Sequence, residues 1–120
     1  MSGRAVPPAD IEPEGFFTSW VPETVAADPT RRTHLMGTVA VLEFTLVGEG
    51  GGVYTLHLRE GVVTGVCGSA DQPDLRILLD LETWQRLNAG ELSAPEAFLR
   101  RRVKLEGNLA LAVKLHFIIG

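Results

Sequence analysis

Histidine and cysteine are the residues of this chain best suited to metal binding or nucleophilic chemistry. The three histidines, His34, His57 and His116, are far apart in the sequence and lack the local spacing of a metal site. We interpret them as solvated or structural residues and expect no metal ion. The single cysteine, Cys67, has no sequence neighbour that would activate its thiol, and we expect it to lie in the core.

Four acidic residues lie close together in the sequence: Asp71, Asp74, Asp80 and Glu82. Carboxylates that flank strands and helix starts usually act as caps and solubilising groups, so we expect no general acid/base pair. The chain contains no His-Glu-x-x-His, paired-cysteine or Gly-x-Ser-x-Gly pattern, which are the common signatures of hydrolytic and metal sites. The sequence therefore predicts a protein with no catalytic machinery and no cofactor.

A glycine-rich stretch occupies residues 48–52. A phosphate-binding loop would continue into Lys-Ser/Thr and would open a helix, whereas this stretch separates two strand-like segments. We predict a hairpin turn.

Three consecutive arginines, Arg100, Arg101 and Arg102, follow a predicted short helix. Positive charge at a helix C-terminus suits the helix dipole and is usually just solvated. Arginines also bind anionic head groups and phosphates through paired hydrogen bonds. Both interpretations remain open, and the second makes Arg101 and Arg102 candidate head-group ligands.

Composition restricts the class of protein. The chain has 120 residues, 45% hydrophobic and 22% charged, with a net charge of -4; this predicts one globular domain and argues against nucleic acid as a partner. One cysteine allows no internal disulfide. No stretch has the length of a membrane span or the form of an export signal. We therefore expect a cytoplasmic, bacterial protein. The proline-containing residues 1–13 predict a flexible arm before a domain at 14–120.

Hydrophobic periodicity predicts the elements. Helical spacing covers 14–27, with a break or kink at Pro22. Alternation predicts strands at 39–47, 53–59, 62–67, 74–79 and 103–106. Capping residues Asp80 and Ser93 predict helices at 81–88 and 94–101, the second with a Ser-x-x-Glu capping box. A last helix at 109–119 is apolar almost all round, so we expect it to contact protein, ligand or both.

From Asp74 to Phe117 the chain resembles the sterol carrier protein 2 family without a gap. The shared features are an acidic residue that opens a strand, a helix that ends at Gly90, and the segment Leu-Ser-Ala-Pro-Glu-Ala-Phe at 92–98. The most specific feature is the closing strand and Gly-Asn turn at 103–108, followed by an apolar helix with Ala112 and Lys114. Between 37 and 74 the resemblance is one of pattern.

The resemblance implies an α+β fold, with a five-stranded, mainly antiparallel sheet and helices packed on one face, enclosing an apolar cavity. It implies a non-catalytic protein that binds or carries a sterol, fatty acid, acyl-CoA ester or other long lipid, with transient membrane contact. Face and family position together give the expected lining residues: Phe44, Leu56, Trp84, Leu87, Phe98, Leu99, Leu111, Leu115 and Ile118.

Arg101 departs from the family pattern, in which a helix-ending glycine usually precedes the basic residue. The run from Phe98 to Arg102 is instead similar to a bacterial branch of lipid carriers associated with ubiquinone biosynthesis. That similarity implies an isoprenoid quinone precursor as ligand.

Two other functions stay open. The apolar last helix suits a homodimerising or docking module that accompanies a lipid or ubiquinone biosynthesis enzyme. A small enzyme is the third alternative, and only His57 and the scattered carboxylates favour it.

Overall fold

A single mixed sheet organises the fold. A computed structural model describes residues 6–119, apart from the side chain of His116. The strands are β1 (Ala40–Val47), β2 (Gly52–Arg59), β3 (Val62–Cys67), β4 (Leu75–Asp80) and β5 (Val103–Gly107), in the order β3-β2-β1-β4-β5. β1 and β4 are parallel, and the other neighbours are antiparallel. The predicted α+β class and the five-stranded, mainly antiparallel sheet are confirmed.

Two hairpins join the first three strands, as the turn residues predict. β2 and β3 are connected by Glu60 and Gly61, which both have positive φ, 52° and 79°. Two consecutive residues of this kind form the type I′ turn that matches the twist of a hairpin. The glycine-rich stretch joins β1 to β2, so the hairpin prediction there is also confirmed.

The two faces of the sheet differ in polarity because side chains alternate along each strand. In β4, for example, every second residue is buried. The buried residues contact the helical segments and form one core on the inner face. On the outer face, the carboxylate of Glu43 lies 3.3 Å from Arg76 Nε and accepts a hydrogen bond from the amide of Ala70 at 3.0 Å.

The N-terminal helical segment is continuous and contains a π-helical stretch. It comprises α1 (Pro13–Gly15), the π-helical residues Phe16–Trp20 and α2 (Val21–Ala26). The amide of Val21 donates to the carbonyl of Phe16, five residues back, immediately before Pro22, which has no N–H to continue the α-helical pattern. The kink predicted at this proline therefore takes the form of a widened turn.

Residues 28–38, for which no element was predicted, contain α3 (Pro29–Leu35). Its local signals are strong. The Asp28 carboxylate accepts hydrogen bonds from the amides of Thr30 and Arg31 at 3.0 and 3.3 Å, and Pro29 occupies the first helical position. Both features are typical of a helix start.

The next two helices follow the predicted caps closely. α4 (Leu81–Asn88) begins after Asp80, and α5 (Ala94–Leu99) begins after Ser93. Ser93 Oγ accepts a hydrogen bond from the amide of Glu96 at 3.2 Å, whereas the Glu96 carboxylate forms an ion pair with Arg100 at 2.7 Å. The hydroxyl half of the predicted capping box is therefore present, and the carboxylate contacts the end of its own helix.

The C-terminal segment differs from the single α-helix predicted at 109–119. It consists of a 3₁₀-helix, Leu109–Leu115, followed by α6 (His116–Ile119). Asn108 starts the tighter winding: its carbonyl accepts from the amide of Leu111 at 3.0 Å, and its side-chain oxygen accepts from the amide of Ala110 at 3.1 Å. Most 3₁₀-helices are short, because their hydrogen bonds have poorer geometry than those of an α-helix. The seven residues of this one make it unusually long.

Candidate functional site

Aromatic side chains fill the space over β1 and β2. The ring of Phe17 lies 4.9 Å from that of Phe44 and stacks on Tyr54 at 5.0 Å between centroids. Phe16 meets Trp84 edge to face at 5.3 Å. Rings in these arrangements attract each other beyond the area they bury, so this half of the inner face is occupied by protein.

The residues predicted to line a cavity differ in exposure. Four are members of the buried core: Phe44, Leu56, Trp84 and Ile118. Three are partly buried and pack against that core: Leu87, Leu111 and Leu115. Two on α5 are largely exposed, at 54% for Phe98 and 80% for Leu99. The structure therefore brings seven of the predicted residues to one core and places the α5 pair outside it.

The half of the inner face over β4 and β5 is covered by the C-terminal segment, which packs against both strands. Apolar residues here are only partly buried: Val103, Leu105, Leu111 and Leu115. They line the contact between a strand at the sheet edge and a 3₁₀-helix. Apolar surface therefore stays accessible where β5 meets the 3₁₀-helix. The 3₁₀-helix also has weaker internal hydrogen bonds than an α-helix.

Helix α3 also contacts the C-terminal segment. Lys114 Nζ donates to the carbonyl of His34 at 2.9 Å, and Arg31 Nη1 donates to the carbonyl of Phe117 at 3.3 Å. The ring of His34 stacks on Phe117 at 4.0 Å. None of these contacts was predicted from the sequence, although His34 was interpreted as solvated or structural and Lys114 belongs to the closing motif. The local signal for them is the shared helix face of Arg31 and His34, three residues apart.

A cleft of about 920 Å³ lies between residues 6–13 and α4. Of the predicted lining residues, Trp84 is the one that borders it. The buried indole N–H of Trp84 has no hydrogen-bond partner in the part of the chain that the structure describes. Because a buried donor without an acceptor is costly, this N–H is a candidate hydrogen-bond donor to a ligand.

The two candidate head-group residues have different surroundings. Arg102 Nε donates to Thr83 Oγ1 at 3.1 Å, and its Nη2 lies 3.6 Å from the Glu82 carboxylate. Arg101 is exposed, has φ of 59°, and its side chain makes no hydrogen bond or ion pair with the other described residues. Of the two, Arg101 is the cation free to meet an anion.

The carboxylates near β4 act as backbone acceptors. Thr83 donates to Asp80 from both its hydroxyl and its amide, the amide at 2.7 Å, and these bonds lower the pKa of Asp80. Asp74 Oδ2 accepts from the amide of Val41 at 2.7 Å. A carboxylate held in its charged form, as Asp80 is, is poorly suited to proton transfer near neutral pH.

The expectation that Cys67 lies in the core is wrong, because the residue is exposed. It lies at the last position of β3, which is an edge strand, and none of residues 6–119 buries it there. His57 is exposed on the outer face, as expected. No group of three or more His, Cys, Asp or Glu side chains that could hold a metal ion occurs within residues 6–119.

Comparison with known proteins assigns the fold and the family. The SCP-2 sterol transfer family matches residues 22–120, so the chain belongs to this family. Domains of this family generally bind lipids or sterols and are usually non-catalytic. The match begins well before the stretch from Asp74 on which the resemblance in the sequence mainly rested.

The chain is similar to part of a longer curated protein. It is 35% identical over 84 residues to hydroxysteroid dehydrogenase-like protein 2 from Bos taurus, a match covering 69% of this chain and 20% of that protein. The chain thus spans about a fifth of the length of this relative.

None of the helices formed by residues 6–119 is long and apolar enough to cross a membrane.

Solved structures share the fold at low sequence identity. Palmitated SCP2L2 from Aedes aegypti has a TM-score of 0.73 at 20% identity, covering 91% of this chain and 95% of that one. The sec-alkylsulfatase Pisa1 from Pseudomonas sp. has a TM-score of 0.71 at 23% identity, covering 90% of this chain and 16% of that one. A ubiquinone synthesis protein, UbiJ-SCP2, is one of several further neighbours, with a TM-score of 0.62 at 15% identity.

Proposed function

We propose that this protein is a non-catalytic lipid carrier that holds its cargo between the C-terminal segment and the β4–β5 half of the inner face. One observation carries the proposal. Aromatic rings fill the space over β1 and β2, whereas Leu111 and Leu115 remain partly exposed against β4 and β5. An apolar ligand that separates the C-terminal segment from β5 would bury these leucines.

The driving force is the removal of apolar surface from water. Each buried CH₂ group contributes about 0.8 kcal/mol. A chain of about ten methylenes then contributes roughly 8 kcal/mol before ordering costs are subtracted. No residue has to perform chemistry for such a protein to hold a lipid.

The proposed site uses part of the predicted lining. Leu111 and Leu115 form the contact layer against β4 and β5, and Ile118 is buried in the same C-terminal segment. Phe44, Leu56 and Trp84 belong to the half of the inner face that protein side chains fill. Leu87 packs on the core from α4, and Phe98 and Leu99 lie exposed outside that core. At the polar end, Arg101 is the head-group ligand, with Arg102 beside it held by Thr83.

The cargo class follows from this arrangement. An apolar site served by a single unpaired arginine would suit an amphipathic lipid with an anionic end, such as a fatty acid or acyl-CoA ester. The palmitated structural relative supports an acyl chain. A sterol or an isoprenoid quinone precursor shares the apolar part. We place the carrier in the cytoplasm.

Displacement of a fluorescent fatty acid tests the lipid site directly. Leu115→Arg places a charge in the contact layer and should abolish uptake while far-UV circular dichroism is unchanged. The matched control is Val113→Arg in the same 3₁₀-helix, where the side chain is already 72% exposed. Equal uptake by both variants, or no lipid in extracts of the purified protein and no fluorophore uptake, would contradict the proposal.

A second candidate is a docking or homodimerising module beside a lipid or ubiquinone biosynthesis enzyme. The large exposed fractions of Leu99 and Val113, and the longer relatives of which this chain matches a part, favour it. Light scattering of the purified chain separates the two functions. A dimer that loses its association in Val113→Arg, with no lipid uptake, would support the docking module.

A further inference from the structure

The exposed end of α5 combines large apolar side chains with positive charge. We name Phe98, Leu99, Arg100 and Arg101 the α5 tip. Phe98 and Leu99 are 54% and 80% exposed although they are adjacent and large. Single exposed apolar residues are common on protein surfaces, but two in succession beside arginines are a feature of sites that meet a partner.

The backbone of the α5 tip is unusual at Arg101. The amide of Arg102 donates to the carbonyl of Ala97 at 2.8 Å, and the amide of Arg101 donates to that of Phe98 at 3.0 Å. This is the helix-ending turn that places one residue in the left-handed region, where glycine is preferred. The chain has Arg101 there with φ of 59°, so a long cation stands where a residue without a side chain would be less strained.

The charges around the tip leave one cation without a counter-ion. Arg100 pairs with Glu96, and Arg102 pairs with Glu82 and Thr83. Arg101 has no such partner among residues 6–119. Because the whole chain carries a net charge of -4, an anionic surface attracts this tip and repels much of the remaining protein, which fixes the orientation of approach.

We propose that the α5 tip docks the protein on an anionic lipid bilayer. The interface of a bilayer accepts apolar side chains at the level of the acyl boundary while arginine heads stay with the phosphates. The tip comprises the end of a helix of only six residues, which is too small for a specific protein interface. A lipid surface needs no shape complementarity, so it is the occupant that this chemistry fits.

This inference extends the proposed function, because a carrier exchanges its cargo at a membrane. The two are nevertheless separable by measurement. Vesicle binding by the protein requires no cargo, and fluorophore displacement in solution requires no vesicle. Loss of one with retention of the other shows which proposal has failed.

Co-sedimentation with vesicles tests the docking surface. The full chain should bind phosphatidylcholine vesicles that contain phosphatidylglycerol, and the binding should weaken with added salt. Leu99→Ser should reduce the partition coefficient about tenfold, and Arg101→Gln about fivefold, the latter only when phosphatidylglycerol is present. Arg101→Gly should lose the same charge-dependent binding without backbone strain, so poor folding cannot produce the effect.

Matched controls lie at the opposite edge of the sheet, on β2 and β3. Val62→Ser removes an apolar side chain that is 61% exposed, and Arg59→Gln removes an exposed cation. Both should bind vesicles as the wild type does. Equal binding to vesicles with and without phosphatidylglycerol, or equal losses in tip and control variants, would overturn the proposal. Absence of binding to either vesicle would also overturn it.

Discussion

The Asp74 carboxylate accepts a hydrogen bond from the amide of Val41 at 2.7 Å, while the amide of Asp74 donates to the carbonyl of Val41 at 2.8 Å. The carbonyl of Asp74 in turn accepts from the amide of Asn108 at 2.8 Å. One residue thereby holds the beginning of the parallel pair β1–β4 and the end of β5. An acidic residue at the opening of this strand was among the features behind the family resemblance, and the hydrogen bonds give its physical role.

Replacement of Asp74 should destabilise the sheet. Asp74→Ala removes a charge-assisted hydrogen bond and should lower the free energy of unfolding by about 1–2 kcal/mol. Urea unfolding followed by tryptophan fluorescence measures the change. Asp71→Ala, in the loop before β4, is the control and should change stability little; a similar loss in both variants would contradict this role for Asp74.

Close packing of β3 against the N-terminal helical segment should make Gly65 intolerant of any side chain. A Cβ at Gly65 would lie 1.8 Å from the carbonyl oxygen of Phe17. Gly65→Ala should therefore cost about 3 kcal/mol or more, because backbone has to move. At Gly37 a Cβ would meet nothing within 4 Å, so Gly37→Ala should leave the thermal midpoint nearly unchanged. If both variants melt together, the predicted close approach is wrong.

Helices α4 and α5 are both followed by a residue in the left-handed region, which is glycine after α4 and arginine after α5. Introducing glycine at one position and removing it at the other should have opposite effects on stability. Gly90 has φ of 77° and Arg101 has φ of 59°. Arg101→Gly should stabilise the protein by up to about 1 kcal/mol, and Gly90→Ala should destabilise it by about the same amount. Differential scanning calorimetry reports both. A lower midpoint for Arg101→Gly would show that the arginine side chain stabilises the fold.

Stability at acid pH should depend on Asp80. Hydrogen bonds from Thr83 hold its pKa below the ordinary value of 3.8. Because the folded state binds this proton less tightly than the unfolded chain, the associated stability is present above pH 3.8 and is lost as the pH falls through the lower folded pKa. Asp80→Asn keeps a capping oxygen but removes the titration, so its stability should fall less steeply with acid. Urea unfolding at a series of pH values measures the slope, and an unchanged slope would contradict this assignment.

The sheet could be predicted from the sequence because its signals are local. Alternation gave the strands, and the two-residue turn at Glu60 and Gly61 fixed one hairpin. The parallel pairing of β1 and β4 follows instead from contacts between residues more than thirty positions apart, such as Val41 and Asp74. The resemblance implied a five-stranded, mainly antiparallel sheet, and neither it nor the alternation predicted which two strands are parallel.

The C-terminal segment and α3 show where local signals failed. An apolar run from Leu109 predicts a helix, but the choice between 3₁₀ and α winding depends on the hydrogen bonds of Asn108 and on contacts with β5 and α3. The expectation for Cys67 failed for a related reason. Its strand lies at the sheet edge, and a sequence pattern does not say which strand is the outermost.

Burial of Ile118 couples the C-terminal segment to helices near the beginning of the sequence. This residue is fully buried, and its helix packs against α2 and α3 from the first third of the chain. During synthesis the antiparallel strands β1 to β3 emerge early and can pair, whereas α2 and α3 keep an uncovered apolar face until Ile118 has left the ribosome. The inner face should therefore close only after the segment around Ile118 has emerged, and a chain stalled before Ile118 should present that face to chaperones.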